Sequence, residues 1–206
     1  MHTMPRVIFF GDSITELGEK KGGYVSLVRD SLGNECEVIG AGISGNKVTD
    51  LHRRLKKDVL SKNPNVVVIY IGINDVWHFQ LHGEYSGTTK EIYKKILREI
   101  VSDIQSSGAA VVLCTPSVIG EKFDGTNSMD IMLNEYCDIS RVIAKENKTI
   151  LLDLRKRFLA FLKEYNSANS ESGILTTDGV HLNGEGNRFV AEQMLKTLKE
   201  MKLFSQ

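Results

Sequence analysis

The sequence predicts an α/β fold in which helices cover both faces of a parallel β-sheet. Short runs of apolar, β-branched residues alternate with longer segments whose apolar residues recur at helical spacing. The run at residues 65–71, NVVVIYI, has no polar alternation, as expected for a central strand that is buried on both faces. Five short strands alternating with helices are typical of a parallel sheet between two helical layers.

Each predicted element has a local signal at its ends or along its length. Gly11 ends the first strand, RVIFF, and Pro116 stops the fourth. Helical spacing places Tyr24, Leu27 and Val28 on one face of the first predicted helix. The predicted strands are 6–10, 35–39, 65–71, 109–114 and 149–152, and the predicted helices are 24–32, 48–60, 89–106, 129–146, 154–165 and 183–201.

Length and composition indicate one soluble globular domain over residues 1–206, with 41% hydrophobic and 25% charged residues. The 26 basic and 26 acidic side chains give no net charge, which argues against nucleic acid as a partner. No apolar run reaches the roughly 18 residues of a membrane span, so no membrane association is predicted. The N-terminus lacks a leader pattern, which favours a cytoplasmic protein unless a leader was removed. Cys36, Cys114 and Cys137 have no CxxC spacing and are predicted to be buried, reduced thiols.

Ligands of such sheets bind beyond the carboxyl ends of the strands, so the loops that follow strands are the candidate site. The first loop begins Gly11-Asp12-Ser13, where Ser13 is either a helix N-cap or an exposed nucleophile. The loop after the third strand holds Asn74, which either forms a turn or offers an amide donor at the sheet edge.

The loop after the second strand reads GAGISGN and matches the dinucleotide-binding pattern GxGxxG. That fingerprint belongs on the first strand and needs an acidic residue about 20 positions on, where this chain has Leu60. A nucleotide site is therefore disfavoured. The alternative is that these glycines bring a bare backbone N–H close to a substrate oxygen.

Two pairs of histidine and acidic residues are further candidates for chemistry. His78 and His82 have the spacing of a metal pair but lack the glutamate of an HExxH motif, which favours ordinary loop histidines and no metal site. Asp178 and His181 lie in one glycine-containing turn before the last helix. An aspartate bonded to an imidazole sets its tautomer and stabilises its charged form, as hydrolytic triads require.

The motifs GDSIT, GISGN, GIND and DGVH follow one another over nearly the whole chain. In this order they resemble the motifs of the SGNH hydrolases, also called GDSL esterases. The resemblance implies a flavodoxin-like, three-layer α/β/α fold with a five-stranded parallel sheet. It also implies that Ser13 is the nucleophile of a triad with Asp178 and His181. The oxyanion hole would consist of the backbone N–H groups of Ser13 and Gly45 and the side chain of Asn74.

The second motif departs from the family pattern. Gly40 stands where the family often has Asn, and Asn46 and Lys47 stand where Asp-Thr is frequent. These differences are expected to affect how the loop is held in place more than the reaction itself. Gly45 is preferred to Gly42 as the oxyanion glycine because the family's oxyanion glycine ends the GISG stretch.

The resemblance implies a serine esterase that hydrolyses small-molecule esters through an acyl-enzyme, without metal or organic cofactor. Its activity should rise as the pH is raised through neutrality, because the histidine must be neutral to act as a base. Within the family the chain looks most like the small lysophospholipase-like and short-ester-hydrolysing members. Rival interpretations are a carbohydrate acetylesterase, a lysophospholipase or thioesterase, and a non-catalytic acyl- or sugar-binding protein.

Two loops, 76–88 and 117–128, are long enough to shape a pocket. Trp77, Phe79 and Tyr85 are predicted to wall its acyl side, which favours acetyl to butyryl esters. The alternative is that these rings only pack beneath the loop. The second loop carries Glu121 among other polar residues and is predicted to face a hydrophilic alcohol such as a sugar.

Overall fold

The computed structural model describes residues 4–82 and 86–201. Its sheet has five strands in the order β2-β1-β3-β4-β5, and every neighbouring pair is parallel. This is the flavodoxin-like order, which confirms the predicted fold class. The strands are β1 (Arg6–Gly11), β2 (Glu37–Gly42), β3 (Val66–Tyr70), β4 (Ala110–Cys114) and β5 (Ile150–Leu152).

The centre of the sheet is buried on both faces. Every residue of β3 is buried, and Val7 to Phe10 of β1 are fully inaccessible to solvent. Phe10 pairs with Ala41 on one side and with Ile69 on the other, so β1 and β3 end at the same level. In this strand order the connections diverge between β1 and β3, which leaves a crevice at their carboxyl ends.

The helices pack in layers on the sheet. They are α1 (Ser13–Gly18), α2 (Tyr24–Leu32), α3 (Val48–Asp58), α4 (Ile73–His82), α5 (Lys90–Ser106), α6 (Ser128–Glu146), α7 (Leu154–Tyr165) and α8 (Gly184–Glu200). Contacts join α3 to α5 and α5 to α6, whereas α2 packs against α8. Phe189 of α8 packs edge-to-face against Phe158 of α7. Thr89, Asn127 and Asn183 cap α5, α6 and α8 by accepting N–H groups of the first turn.

Two segments that the sequence predicts to be loops are helical. Residues 73–82 form α4, because buried Ile73 and Val76 anchor a helix that packs against α6. The first turn of α4 holds Asn74 and Asp75, which are weak helix formers but suit a helix N-terminus. The loop after β1 likewise contains the short helix α1. Both helices begin directly beyond a central strand, where they carry candidate site residues.

Two smaller boundaries also differ from the sequence prediction. A 3₁₀ turn over Gly33–Glu35 delays the second strand, and α3 ends at Asp58 before a second such turn at Leu60–Lys62. The three cysteines are free and buried, as predicted. Among the described helices, none combines the length and apolar character needed to cross a bilayer.

Candidate active site

The adjacent ends of β1 and β3 carry the first two candidate residues. Ser13 is the first residue of α1, and Asn74 lies in the first turn of α4. The N-cap of α1 is Asp12, whose Oδ1 accepts the N–H of Ile14 at 3.0 Å. The capping role that the sequence left open for Ser13 therefore belongs to its neighbour, and the serine hydroxyl is available for another partner.

That partner is His181, which lies 168 residues further along the chain. Ser13 Oγ is 3.0 Å from His181 Nε2, and His181 Nδ1 is 2.7 Å from Asp178 Oδ2. A carboxylate only accepts hydrogen bonds, so the proton lies on Nδ1 and leaves Nε2 free to accept the serine hydroxyl. The three side chains form one hydrogen-bonded relay with the polarity that a nucleophilic serine needs.

The other carboxylate oxygen of Asp178 holds the turn itself. Its Oδ1 accepts the N–H groups of Val180 at 3.0 Å and His181 at 2.8 Å. Partial burial raises the pKa of Asp178, but hydrogen bonds from the His181 side chain and these two N–H groups outweigh it, so the pKa is below its usual value. Asp178 therefore carries the negative charge that favours an imidazolium beside it.

The loop after β2 brings a second set of donors towards Ser13. Gly45 lines the same cleft with φ of 77°, a left-handed conformation that favours glycine. Its neighbour Ser44 donates its N–H to Glu16 Oε2 of α1 at 2.6 Å, and its hydroxyl donates to the same oxygen. Gly42 has a different role, since a Cβ there would lie 2.1 Å from the backbone nitrogen of Glu16. The geometry thus favours Gly45 as the glycine that faces a substrate.

Asn74 connects this loop to α4. Its Nδ2 donates one hydrogen to the carbonyl of Asn46 at 3.0 Å, which fixes the amide plane and leaves a second hydrogen. The adjacent Asp75 is fully buried and accepts the N–H of Val48 at 3.2 Å with each of its oxygens. Residues 74 and 75 therefore tie the GISGN loop to the end of β3.

Two buried acids lie beneath the site. Burial raises the pKa of Asp12 to about 7, although the N–H of Ile14 and the charge of His181 act against it. Burial likewise raises the pKa of Asp75 to about 7, against hydrogen bonds from Thr88 and Val48. Both carboxyls are therefore close to their titration range at neutral pH.

The relay opens into a cleft of about 570 Å³. Apolar walls come from Ile14, Ile73 and Val180, and Trp77 lines the cleft with 39% of its surface exposed. His78 also lines the cleft. The sequence analysis does not predict this, because it expects a loop here. In a helix, residues four apart share a face, so His78 lies on the same face of α4 as Asn74.

Two predictions about the pocket are wrong. Phe79 is not among the cleft-lining residues, because it lies two positions after Trp77, roughly 200° around the helix, and packs by its backbone against Gly87. Among the described residues, none from 117–128 lines the cleft either, and Glu121 is fully buried beneath the surface. Tyr85 lies outside the described residues.

The paired histidines His78 and His82 lie on one face of α4. The rings of His78 and His82 stack with centroids 6.5 Å apart. Within residues 4–82 and 86–201, no three His, Cys, Asp or Glu side chains are grouped to hold an ion. Partial burial and the nearby Lys47 lower the pKa of His78, so at neutral pH it presents an uncharged imidazole to the cleft.

A serine, a histidine and an aspartate linked at the switch point of a parallel α/β sheet are typical of a serine hydrolase. The sequence model of the GDSL-like Lipase/Acylhydrolase family matches residues 9–189. The chain belongs to this family, as its motifs predicted, and it is a carboxylic ester hydrolase.

Three relatives illustrate the range of similarity. The crystal structure of the acetyl xylan esterase AlAXEase matches with a TM-score of 0.90 and 47% identity, covering 94% of this chain and 99% of that one. The acetylxylan esterase of Geobacillus stearothermophilus is 30% identical over 94% of this chain and 93% of its own length. Structures of its catalytic mutants, with a serine, an aspartate or a histidine changed to alanine, match with TM-scores of 0.83. The isoamyl acetate-hydrolyzing esterase 1 homolog of Mus musculus is 29% identical over 90% of this chain and 78% of that protein.

Proposed function

We propose that this esterase removes acetyl groups from esters through an acyl-enzyme on Ser13. The observation that carries the proposal is the unbroken relay from Ser13 Oγ through His181 to Asp178, with links of 3.0 and 2.7 Å. The catalytic mutants of the Geobacillus stearothermophilus enzyme affect the same three residue types, and its aspartate and histidine are three positions apart, as here.

In the first half of the proposed cycle, His181 Nε2 accepts the proton of Ser13 as its oxygen attacks the ester carbonyl. The backbone N–H groups of Ser13 and Gly45 and the free amide hydrogen of Asn74 stabilise the resulting oxyanion. Ser13 suits this role because the N–H of a first helical residue has no acceptor within its helix. His181 then donates its proton to the leaving alcohol, which completes acylation.

In the second half, the same imidazole activates a water molecule. His181 accepts a proton as the water attacks the acyl-enzyme, and it returns the proton to Ser13 when the acid leaves. Asp178 stabilises the imidazolium in both halves. Because its pKa is below the usual value, Asp178 remains ionised at neutral pH.

Two lines of support favour an acetyl group as the acyl part. The relatives named for their substrates act on acetylxylan and on isoamyl acetate, which share the acetyl group and differ in the alcohol. The cleft is walled near Ser13 by Ile14 and Ile73, which suits a small apolar acyl group.

For the alcohol we propose a carbohydrate. AlAXEase, at 47% identity, is an acetyl xylan esterase. The exposed indole of Trp77 offers a flat apolar face for a sugar ring, and the uncharged imidazole of His78 offers a donor and an acceptor for its hydroxyl groups.

A substrate panel tests both parts of the proposal. Purified enzyme should hydrolyse p-nitrophenyl acetate with a higher kcat/KM than the butyrate, octanoate or palmitate ester. It should also release acetate from acetylated xylo-oligosaccharides more efficiently than from isoamyl acetate. A kcat/KM that rises steadily with acyl length would contradict the acetyl preference and support a lysophospholipase or thioesterase, whereas a preference for isoamyl acetate would contradict the carbohydrate alone.

A further inference from the structure

The segment that carries Asp178 and His181 is anchored to the loop after β4 by a single buried carboxylate, that of Glu121. Its side chain is completely inaccessible to solvent. Oε1 accepts the N–H groups of Leu175 and Thr176, each at 2.6 Å, and Oε2 accepts the N–H of Ile174 at 2.8 Å. Three consecutive backbone donors therefore converge on one side chain that is more than 50 residues away in sequence.

The anchor extends into the turn between the two candidate catalytic side chains. Thr176 Oγ1 donates to Glu121 Oε1 at 2.9 Å and accepts the N–H of Gly179 at 3.0 Å. Gly179 also contacts the loop after β4 directly, since its carbonyl accepts the N–H of Gly120 at 2.7 Å. The turn from Asp178 to His181 is thus held on both sides by residues 120 and 121.

The anchor adds to the hydrogen bonds within the turn, where Asp178 Oδ1 accepts the N–H groups of Val180 and His181. The side chains of Asp178 and His181 are 55% and 35% exposed, so packing does little to hold them. Between α7 and α8 the chain forms no helix, and its isolated β-bridge joins Thr176 to Leu182. The position of the imidazole therefore depends on the backbone path of residues 174–179.

The hydrogen bonds to the Glu121 carboxylate in the described residues all come from neutral donors on this one segment. A buried carboxylate is costly unless such donors satisfy it. The buried Glu121 carboxylate is therefore stable only when residues 174–176 keep their present backbone conformation. That conformation depends in turn on the carboxylate.

We propose that Glu121 is a positioning residue for the reaction: through Thr176 and Gly179 it sets the distance between His181 and Ser13. This inference rests on the proposed roles of Ser13, Asp178 and His181. A displacement of about 1 Å in a catalytic group can cost about 10²-fold in rate. The loss should fall mainly on kcat, because the cleft walls formed by Ile14, Ile73 and Trp77 lie on other elements.

The test uses three substitutions of graded severity, assayed on p-nitrophenyl acetate below each variant's melting temperature. Glu121→Gln keeps the shape but turns an NH₂ group towards an N–H donor. Thr176→Val removes the hydroxyl link at nearly constant volume, whereas Thr176→Ser keeps it. We expect kcat to fall roughly 10- to 100-fold in E121Q and T176V with KM changed less than about 3-fold, and T176S to retain clearly more activity than T176V.

A spectroscopic readout separates positioning from general stability. In the wild type, the Nδ1 proton of His181 bonded to Asp178 should give a downfield NMR signal. That signal should shift or broaden in E121Q and T176V. It should persist in Ile104→Ala, a destabilising control in the last turn of α5, where the residue is fully buried away from this segment.

Wild-type kcat in both E121Q and T176V would overturn the inference. So would a loss of kcat no larger than that of I104A at equal stability, with the downfield signal unchanged. Ser13→Ala in the same assay distinguishes the two proposals: an inactive S13A with fully active E121Q and T176V contradicts only the positioning role, whereas an active S13A contradicts the proposed function itself.

Discussion

The two halves of the candidate site are supported in different ways. Ser13 and Asn74 lie within two residues and four residues of the ends of β1 and β3, at the start of helices that continue directly from buried strands. Asp178 and His181 lie on a segment without helix or strand, exposed to solvent and anchored by Glu121. The serine half takes its position from the sheet, whereas the histidine half is held by hydrogen bonds, among them those to the distant Glu121 carboxylate.

The position of a site residue can thus depend on neighbouring residues in the sequence or on distant ones. A residue directly after a strand and a tight turn lies at the carboxyl edge of the sheet, and its position depends mainly on that strand. A loop residue is placed only as well as the contacts made by its backbone. Substitutions near the serine should therefore act on chemistry through the residue changed, while substitutions near the histidine should also act through the path of the loop.

The largest expected effect comes from removing a member of the reacting pair. Ser13→Ala and His181→Ala should each lower kcat by roughly 10⁴-fold or more, because the nucleophile and its base act as a unit. Their combined loss should be close to that of either alone, as steady-state kinetics of the double variant would show. Losses that multiplied would mean that the two residues act independently, and the relay would not be the catalytic unit.

A smaller effect is expected from the oxyanion side. Asn74→Ala should lower kcat by roughly 10²- to 10³-fold with little change in KM, because the amide acts on charge that develops in the transition state. Asn74→Asp is a matched control of nearly equal size that replaces the donor by an acceptor and should be no better. An effect confined to KM would instead make Asn74 a ground-state binding residue.

Much of the serine half was predictable from the sequence, and less of the histidine half was. The strand runs and the turns after them predict that Ser13 and Asn74 follow buried strands, because periodicity and glycine positions are local signals. The sheet order follows only from the resemblance of the motifs to those of the SGNH hydrolases. The motif DGVH pointed to Asp178 and His181, but nothing local indicated what holds them. The sequence predicts that Glu121, with the rest of its polar loop, faces a hydrophilic alcohol, because a glutamate is rarely fully buried. The structure instead buries it completely.

The helix α4 shows a second limit. Its short apolar pattern, with only Ile73 and Val76 reaching the core, did not distinguish it from a loop. Packing against α6 decides its conformation, and such packing depends on a helix that begins only at Ser128, far along the chain. Because this segment is expected to be a loop, the sequence does not indicate that His78 lines the cleft. For the same reason it assigns Phe79 to a cleft that Phe79 does not line.

The smallest expected effect concerns stability and compares the buried Asp75 of the serine half with Asp153. Burial raises the pKa of Asp75 to about 7 in the folded protein, from about 3.8 in the unfolded chain. The folded state therefore binds more protons between these values, and the contribution of Asp75 to stability should fall as the pH rises from about 4 to 7, by on the order of 4 kcal/mol at most. Above pH 7 the loss should level off.

Asp75→Asn removes this titration, so its melting temperature relative to the wild type should be higher at pH 8 than at pH 5. Asp153→Asn is the control: hydrogen bonds from Arg141 and Lys156 outweigh burial and lower the pKa of Asp153, so its contribution should stay constant over that range. A D75N difference that is equally constant would show that the Asp75 carboxyl is already ionised at pH 5.

The central claim is that Ser13 is the residue that becomes acylated. Treating the enzyme with an activated phosphonate and analysing tryptic peptides by mass spectrometry tests this most directly. The account predicts one label per chain, on the peptide that contains Ser13, and none in S13A. It also predicts slower labelling in H181A, which lacks the base. A label on another residue, or equal labelling of S13A, would contradict it.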